Sequence, residues 1–297
     1  MTLPVHDVHG AADAAETVFL SSGLGGAAAF WAPQIPALVA AGYRVVTYDQ
    51  RGTGRSAGAL PQPYAITSMA DDVIRVWDAA GVGHCHFVGH ALGALVGLQV
   101  ALDAPQRLAS LTSINGWSQP NSHSARCFDT RLSLLGALGP RAYVEAQPLF
   151  LYPAAWCVRN ADRVRAEVEH AFAHFPAEET VRARIAALRR FDIDARLGDI
   201  AVPTLVACAR DDMLVPWTCS ERLARGLRHA RFAPVPYGAH AHNITEPGAF
   251  NETLLAFLAD VTSGVALGAA PDVTSDATSD ATAAGAADLA ANATAVP

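Results

Sequence analysis

The chain has 297 residues, of which 51% are hydrophobic and 16% are charged, and its net charge is −7. This composition is typical of a globular protein with enough apolar material for a core, in one large or two small domains. Because no basic stripe is present, the sequence argues against nucleic acid or a membrane surface as a partner. The chain lacks a signal-peptide pattern and a membrane-spanning apolar run, so we expect a cytoplasmic protein.

The cysteines are scattered, without a CxxC pair, at Cys85, Cys127, Cys157, Cys208 and Cys219. An odd number without regular spacing favours buried, reduced thiols over disulfides. No pair of His, Asp or Glu residues has the spacing of a metal site. We therefore expect neither a metal nor another cofactor.

Short apolar runs alternate with longer helical segments along most of the chain. The predicted strands are residues 17–21, 44–48, 84–88, 108–114, 203–209 and 231–236. The predicted helices are residues 31–41, 68–80, 92–104, 219–227 and 249–258. This alternation predicts an α/β fold with a doubly wound, mostly parallel sheet and right-handed crossovers.

The alternation stops at residues 117–194, which are helical in pattern and punctuated by prolines. A helical insertion between two strands predicts a cap over the carboxyl ends of the strands, where open α/β sheets bind ligands. The core is then divided into residues 1–116 and 195–261. Residues 262–297 are rich in Ala, Thr, Ser and Asp, and we predict a disordered tail because they offer too little apolar surface to fold.

The segment VGHALG, at residues 88–93, follows a predicted strand and begins a predicted helix. This context is typical of a nucleophile elbow, G-x-S-x-G, in which two glycines permit a strained turn that presents the middle residue. In isolation such a string also fits ordinary close packing of a helix. Here the middle residue is Ala91, which has no nucleophilic atom. The sequence therefore predicts a site that does not work through an acyl-enzyme.

A glycine-rich segment, SGLGG at residues 22–26, follows the first predicted strand. Alone it reads as an ordinary turn, but beside an elbow it is the loop that supplies a backbone N–H group to an oxyanion hole. We therefore predict that the backbone of Leu24 and Leu92 binds an oxyanion or a carboxylate. A second loop, DQRGTGRS at residues 49–56, contains Arg51, for which we predict an internal hydrogen-bonding role.

Asp212 lies after a predicted strand and four residues before Pro216, and His240 ends the segment PYGAH at residues 236–240. The order elbow, acid, histidine is the order of catalytic residues on this fold. An isolated acid or histidine would more often be a solvated surface residue. In this order, we predict that His240 and Asp212 form an acid–base pair. Asp211 could equally be a helix-capping or surface residue.

Four further polar residues are candidates for substrate contacts: Ser22, Asn115, His123 and Arg126. Ser22 adjoins the predicted oxyanion loop, and His123 lies at the entrance to the predicted cap.

Several segments together resemble one family closely: GHALGALVG at residues 89–97, DQRGTG at 49–54, INGW at 114–117, RCF at 126–128, EAQPLFLYPA at 145–154, DDMLVP at 211–216 and PYGAHAHN at 236–243. They resemble the α/β-hydrolase-like proteins of the bacterial Rut pathway of pyrimidine degradation, over roughly the first 260 residues. The alanine at the elbow belongs to the resemblance. Departures are Ala239 in place of glycine, His242 in place of cysteine, and the tail.

The resemblance implies an α/β-hydrolase fold with a helical cap and the hydrolysis of a small, labile acid. The substrate is expected to be carbamate, broken down to ammonia and carbon dioxide. The alternative is 3-aminoacrylate, hydrolysed to malonic semialdehyde and ammonia. Either reaction can proceed by noncovalent acid–base catalysis. We expect Asp212→Asn to be less harmful than His240→Ala, because the imidazole remains.

Two other classes of function stay open. The chain could be a pseudoenzyme that binds a small carboxylate or a partner protein. It could also be a different enzyme of the same fold, such as a lyase or a general esterase that uses another nucleophile, for which Ser22 is the nearest candidate. The expected partner is a small-molecule substrate, and a homodimer is compatible with the sequence.

Overall fold

A computed structural model of the chain describes residues 2–265 and shows strands alternating with helices. The strands are β1 (His6–His9), β2 (Thr17–Ser21), β3 (Arg44–Tyr48), β4 (Cys85–His90), β5 (Leu108–Ile114), β6 (Thr204–Ala209) and β7 (Ala230–Val235). The helices are α1 (Ile35–Ala40), α2 (Ile66–Ala79), α3 (Leu92–Asp103), α4 (Ser122–Leu151), α5 (Ala154–Arg159), α6 (Ala161–Ala173), α7 (Glu178–Arg190), α8 (Trp217–Gly226), α9 (His242–Thr245) and α10 (Pro247–Thr262). The predicted tail falls mostly on residues 266–297, outside the described residues.

The strands form one sheet in the order β1-β3-β2-β4-β5-β6-β7, in which β1 alone is antiparallel to its neighbour. Strand β4 lies in the middle and is buried at every position. Earlier strands lie on one side of β4 and later strands on the other, so the strand order reverses there. Ligands bind at such a switch point, at the carboxyl ends of the strands. The predicted doubly wound, mostly parallel sheet is confirmed.

Apolar side chains cover both faces of the sheet, because successive residues of a strand point to opposite faces. Val18 and Leu20 of β2 pack with Phe257 of α10, while Phe19 packs on the other face with Trp77 of α2. This two-sided burial explains the continuous apolar strands in the sequence.

Two elements differ from the sequence prediction near the amino terminus. Strand β1 is not predicted, because its HDVH sequence at the sheet edge is polar and only partly buried. The predicted helix at residues 31–41 is shorter, and α1 begins at Ile35 with Pro36 in its first turn. Proline fits the first turn of a helix but not its interior, so it sets the start of α1.

The predicted cap corresponds to helices α4 to α7, which lie between β5 and β6 in the chain. Helix α4 is divided by Gly139, whose φ of 82° and ψ of −175° are not helical, and Pro140 begins its second half. This break turns the chain so that α4 contacts both α6 and α7. Cap residues such as Phe128 and Tyr143 line one cavity together with His90, at the carboxyl end of β4.

Within residues 2–265, no helix is both long and apolar enough to cross a membrane. The same residues contain no cluster of three or more His, Cys, Asp or Glu side chains suited to a metal. All five cysteines are unpaired; Cys85, Cys127 and Cys208 are buried as predicted, whereas Cys157 and Cys219 are only partly buried.

Helix α9 places His242 in the interior, where its ring lies edge-on to Phe250 of α10, with 5.5 Å between ring centroids. Burial lowers the pKa of His242 to about 4. The unfolded chain takes up this proton near the ordinary histidine pKa of about 6.5, whereas the folded chain does not. Between these two pKa values, falling pH therefore destabilises the fold.

We expect His242→Cys to remove this sensitivity to acid. From about pH 7 to about pH 5, the wild type should lose about 2 kcal/mol more unfolding free energy than the variant. Urea unfolding at the two pH values measures the difference, with His84→Cys on the surface as the control. Equal acid sensitivity of wild type and His242→Cys would contradict the assignment.

Candidate active site

The elbow between β4 and α3 places Ala91 in a conformation that is unusual for a residue with a side chain, at φ 47° and ψ −111°. Such strain costs on the order of 1–3 kcal/mol and is concentrated at functional sites. A Cβ atom at Gly89 would lie 2.4 Å from the carbonyl oxygen of Gly93. One at Gly93 would lie 2.1 Å from the carbonyl oxygen of Ser21. Both glycines are therefore sterically required, as predicted, and the turn is that of a nucleophile elbow.

Ala91 precedes the first residue of α3 and lies on the wall of a cavity between the core and the cap. The first N–H groups of a helix have no partner within it and attract anions. The elbow therefore offers Leu92 and its neighbours as backbone donors, and a methyl group where a nucleophile would otherwise stand.

Asp212 accepts hydrogen bonds from four donors. Its Oδ1 accepts from the backbone N–H groups of Leu214 and Val215, at 2.8 and 2.9 Å. Its Oδ2 accepts from Asn115 Nδ2 at 2.6 Å and from His240 Nδ1 at 2.8 Å. An ionised carboxylate can accept all four. His240 Nδ1 therefore carries a proton, and Nε2 is the nitrogen available for chemistry in the cavity that His240 lines.

Asp211, beside Asp212, is an exposed residue, as one of the two predicted alternatives has it, and its carboxylate is hydrogen-bonded. Its carboxylate accepts the backbone N–H groups of Gly238 and Ala239, at 3.2 and 2.8 Å. Ala239 has a φ of 56°, so these bonds hold a strained turn directly before His240. The two adjacent acids thus fix the loop and the ring of the same histidine.

His90 is a site residue whose position the sequence leaves undecided. Its Nε2 donates to the backbone oxygen of His240 at 2.7 Å, and the two ring centroids are 4.9 Å apart. Burial lowers the pKa of His90 well below its ordinary value, so the ring is neutral. A Cβ at Gly23 would lie 2.8 Å from Nδ1 of His90, so only glycine lets the loop approach this ring.

The loop after β2 contains a tight turn that is closed by one of its own carbonyl groups. Gly23 O accepts the N–H of Gly26 at 3.1 Å, which closes a tight turn. In a trans peptide, the C=O and the following N–H point in opposite directions. The N–H of Leu24 therefore points away from this turn, and Leu24 lines the cavity. This geometry fits the predicted role of Leu24 as a backbone donor.

Arg184, on cap helix α7, also contacts the loop after β2. This arginine is only 1% exposed. Its Nη2 donates to the carbonyl oxygen of Leu24 at 3.1 Å and to Oε1 of Gln50. Burial lowers the pKa of Arg184. The sequence did not single out this residue, because an arginine among the polar residues of α7 has the pattern of a solvated helix face.

The four predicted substrate contacts lie in different places. Ser22 lines the cavity, and its buried hydroxyl has no hydrogen-bond partner among the described residues. Asn115 is directed to Asp212 instead of the cavity. His123 bonds the carbonyl oxygen of Met213 at 2.6 Å, and Arg126 is exposed. Only Ser22 of the four therefore borders the cavity.

The loop DQRGTGRS has the structural role that the sequence predicts. Arg51 donates from Nε to Asp72 of α2 at 2.8 Å. Asp49 accepts the backbone N–H groups of Ala28 and Arg55, at 2.8 and 2.9 Å. These bonds fix the loop beside the oxyanion segment.

The cavity has a volume of about 790 Å³ and lies between the core and the cap. The core contributes the elbow, His240 and the loop after β2. The cap side is largely aromatic and aliphatic, and includes Phe128, Tyr143 and Phe175.

Comparison with known proteins agrees with this geometry. The family model of the α/β-hydrolase fold matches residues 16–143. A hydrolase from Pseudomonas aeruginosa superimposes with a TM-score of 0.77 at 30% identity, covering 85% of this chain and 93% of that structure. An enol-lactonase from Burkholderia xenovorans gives 0.78 at 25% identity, covering 86% and 96%.

Curated relatives are more similar in sequence. A protein of Variovorax paradoxus is 64% identical, covering 88% of this chain and 98% of the relative. A protein of Caulobacter vibrioides is 54% identical, covering 85% and 94%. Both carry the name RutD and a provisional assignment as carbamate hydrolases. The chain therefore belongs to the RutD family of α/β-hydrolase-fold proteins.

Proposed function

We propose that the chain accelerates the breakdown of carbamate to ammonia and carbon dioxide by noncovalent acid–base catalysis. The observation that carries this proposal is the combination of Ala91 in a strained elbow with an intact Asp212–His240 pair. The assignment of the curated relatives to carbamate hydrolysis supports the choice of substrate.

In the proposed reaction, the carboxylate of carbamate is bound by the N–H groups at Leu24 and Leu92. Protonated His240 donates a proton from Nε2 to the carbamate nitrogen. The C–N bond then breaks, its electron pair stays on nitrogen, and ammonia and carbon dioxide leave. Solvent returns the proton to His240. The Asp212 carboxylate stabilises the imidazolium, and such positioned acid–base catalysis contributes about 10²–10⁴-fold.

The contacts of Ser22 argue against a covalent alternative. A serine nucleophile needs a hydrogen-bonded base. Within residues 2–265, the buried Ser22 hydroxyl has no hydrogen-bond partner, so no bond joins it to Nε2 of His240.

The proposal extends to a cytoplasmic role in pyrimidine and uracil catabolism, because the relatives carry the name of a Rut protein. It includes a small-molecule substrate and no cofactor, nucleic acid or membrane. A homodimer stays a prediction.

We expect His240→Ala to lose the acceleration and keep the fold, because the ring lies on a loop at the cavity and the variant lacks the proton donor. Stopped-flow decay of freshly dissolved ammonium carbamate, with and without protein, measures the rate. His84→Ala, on the surface, is the control and should retain the full rate. Full acceleration by folded His240→Ala would refute the mechanism, and the same assay with 3-aminoacrylate compares the alternative substrate.

The contacts of Asp212 alter the expectation for Asp212→Asn. The asparagine oxygen can face the N–H groups of Leu214 and Val215, but its NH₂ group then faces His240 Nδ1 and reverses the tautomer. We therefore expect a loss close to that of His240→Ala, although the imidazole remains. The carbamate assay measures this loss, and circular dichroism checks the fold. A rate near that of the wild type would contradict the tautomer argument.

We expect p-nitrophenyl acetate to give no burst with the wild type, because Ala91 cannot be acylated. Ala91→Ser should produce a burst and raise esterase activity at least about tenfold, since the elbow and base are already positioned. Pre-steady-state absorbance measures both, and Ala91→Gly is a control without a hydroxyl. A stoichiometric burst from the wild type would exclude the noncovalent mechanism.

A further inference from the structure

We propose that Arg131 forms an anion subsite in the cap half of the cavity, and that the cavity thereby accepts the carbamates of small amino acids. In such a molecule the labile N-carboxylate and a second carboxylate are joined through a short carbon chain. This inference rests on the proposed function, because it names a substrate class for the same site.

Arg131 lies on α4 and is 4% exposed, yet it borders the cavity. Its Nη2 donates to the hydroxyl of Tyr143 at 2.8 Å. Its Nε is buried and has no hydrogen-bond partner among the described residues. The guanidinium group therefore has an unused donor inside the protein.

The surroundings of Arg131 are aromatic. The guanidinium carbon lies 4.7 Å from the ring centroid of Tyr143, 5.7 Å from that of Phe150 and 5.9 Å from that of Phe128. Aromatic faces stabilise a cation in part, but they do not replace the water that its N–H groups lose on burial.

No carboxylate in residues 2–265 forms an ion pair with Arg131. By contrast, the guanidinium of Arg51 is bonded to Asp72, and that of Arg184 is bonded to the oxygens of Leu24 and Gln50. A buried cation without a partner is unfavourable unless a ligand supplies the anion. The planar guanidinium matches a carboxylate in shape and charge.

Arg131 belongs to cap helix α4, the backbone donors of Leu24 and Leu92 belong to the core, and all three residues line the same cavity. Carbamate has a single carboxylate, which the proposed reaction places at Leu24 and Leu92. A cavity of about 790 Å³ accommodates a larger molecule. The lining of the cavity is largely apolar, which suits a short carbon chain.

The reaction at His240 is unchanged for this substrate class. The Nε2 proton passes to the carbamate nitrogen, the bond to the carboxylate carbon breaks, and carbon dioxide and the free amino acid leave. Arg131 contacts only the distant carboxylate and takes no part in proton transfer.

Succinate tests the subsite, because it has the shape of the carbamate of glycine with carbon in place of nitrogen. Propionate has the same chain length less one carboxylate. By isothermal titration calorimetry, we expect the wild type to bind succinate at least about tenfold more tightly than propionate. Arg131→Gln should abolish this preference, and Arg131→Lys should retain part of it. Arg182→Gln, which removes an exposed cap arginine, is the matched control.

Equal binding of succinate and propionate by the wild type would overturn the proposal, as would wild-type preference in either folded Arg131 variant. If Arg131→Gln does not fold, the wild-type ratio and Arg131→Lys decide. His240→Ala should keep the succinate preference within about twofold, because proton transfer is not involved in binding. If the wild type prefers succinate but does not accelerate carbamate decay, the proposed function is refuted and the subsite stands.

Discussion

The carboxylate of Asp212 is the point on which the arrangement of the site depends. Its two oxygens accept hydrogen bonds from its own loop, from Asn115 after β5 and from His240 after β7. Three neighbouring strands therefore end at one buried charge. With every acceptor position used, the carboxylate fixes the ring of His240 and its tautomer together. Two further hydrogen bonds restrain the loop that carries His240. His90 donates to the backbone oxygen of His240, and Asp211 accepts from the backbone of the turn that precedes it.

The elbow keeps the strained geometry that presents a nucleophile, although Ala91 has none. A positive φ at a residue with a Cβ atom is unfavourable, and no side-chain chemistry at Ala91 offsets it. The strained backbone conformation instead places the start of α3, with its unpaired N–H groups, at the cavity wall. Gly89 and Gly93 permit this backbone geometry, because a side chain at either position would clash with neighbouring backbone atoms. This backbone geometry suits the proposed anion site, and it does not depend on covalent catalysis.

Much of the fold could be predicted because the signals are local. Apolar runs identify the central strands, and the pattern at residues 88–93 identifies the elbow. Strand β1 escapes prediction because it is polar and lies at the edge of the sheet. His90, Arg131 and Arg184 carry no local signal for their roles, since each depends on contacts with residues distant in the chain. Asn115 was expected to contact substrate, but its partner Asp212 is brought beside it only by the pairing of β5 with β6.

The bond from Arg184 to the oxygen of Leu24 has a consequence for how the cavity can open. Arg184 belongs to the cap, and Leu24 belongs to the loop proposed to supply a backbone donor. A displacement of α7 would remove the partner of that carbonyl and release the peptide beside it. In the proposed mechanism, the cap therefore holds part of the anion site in place as well as covering it.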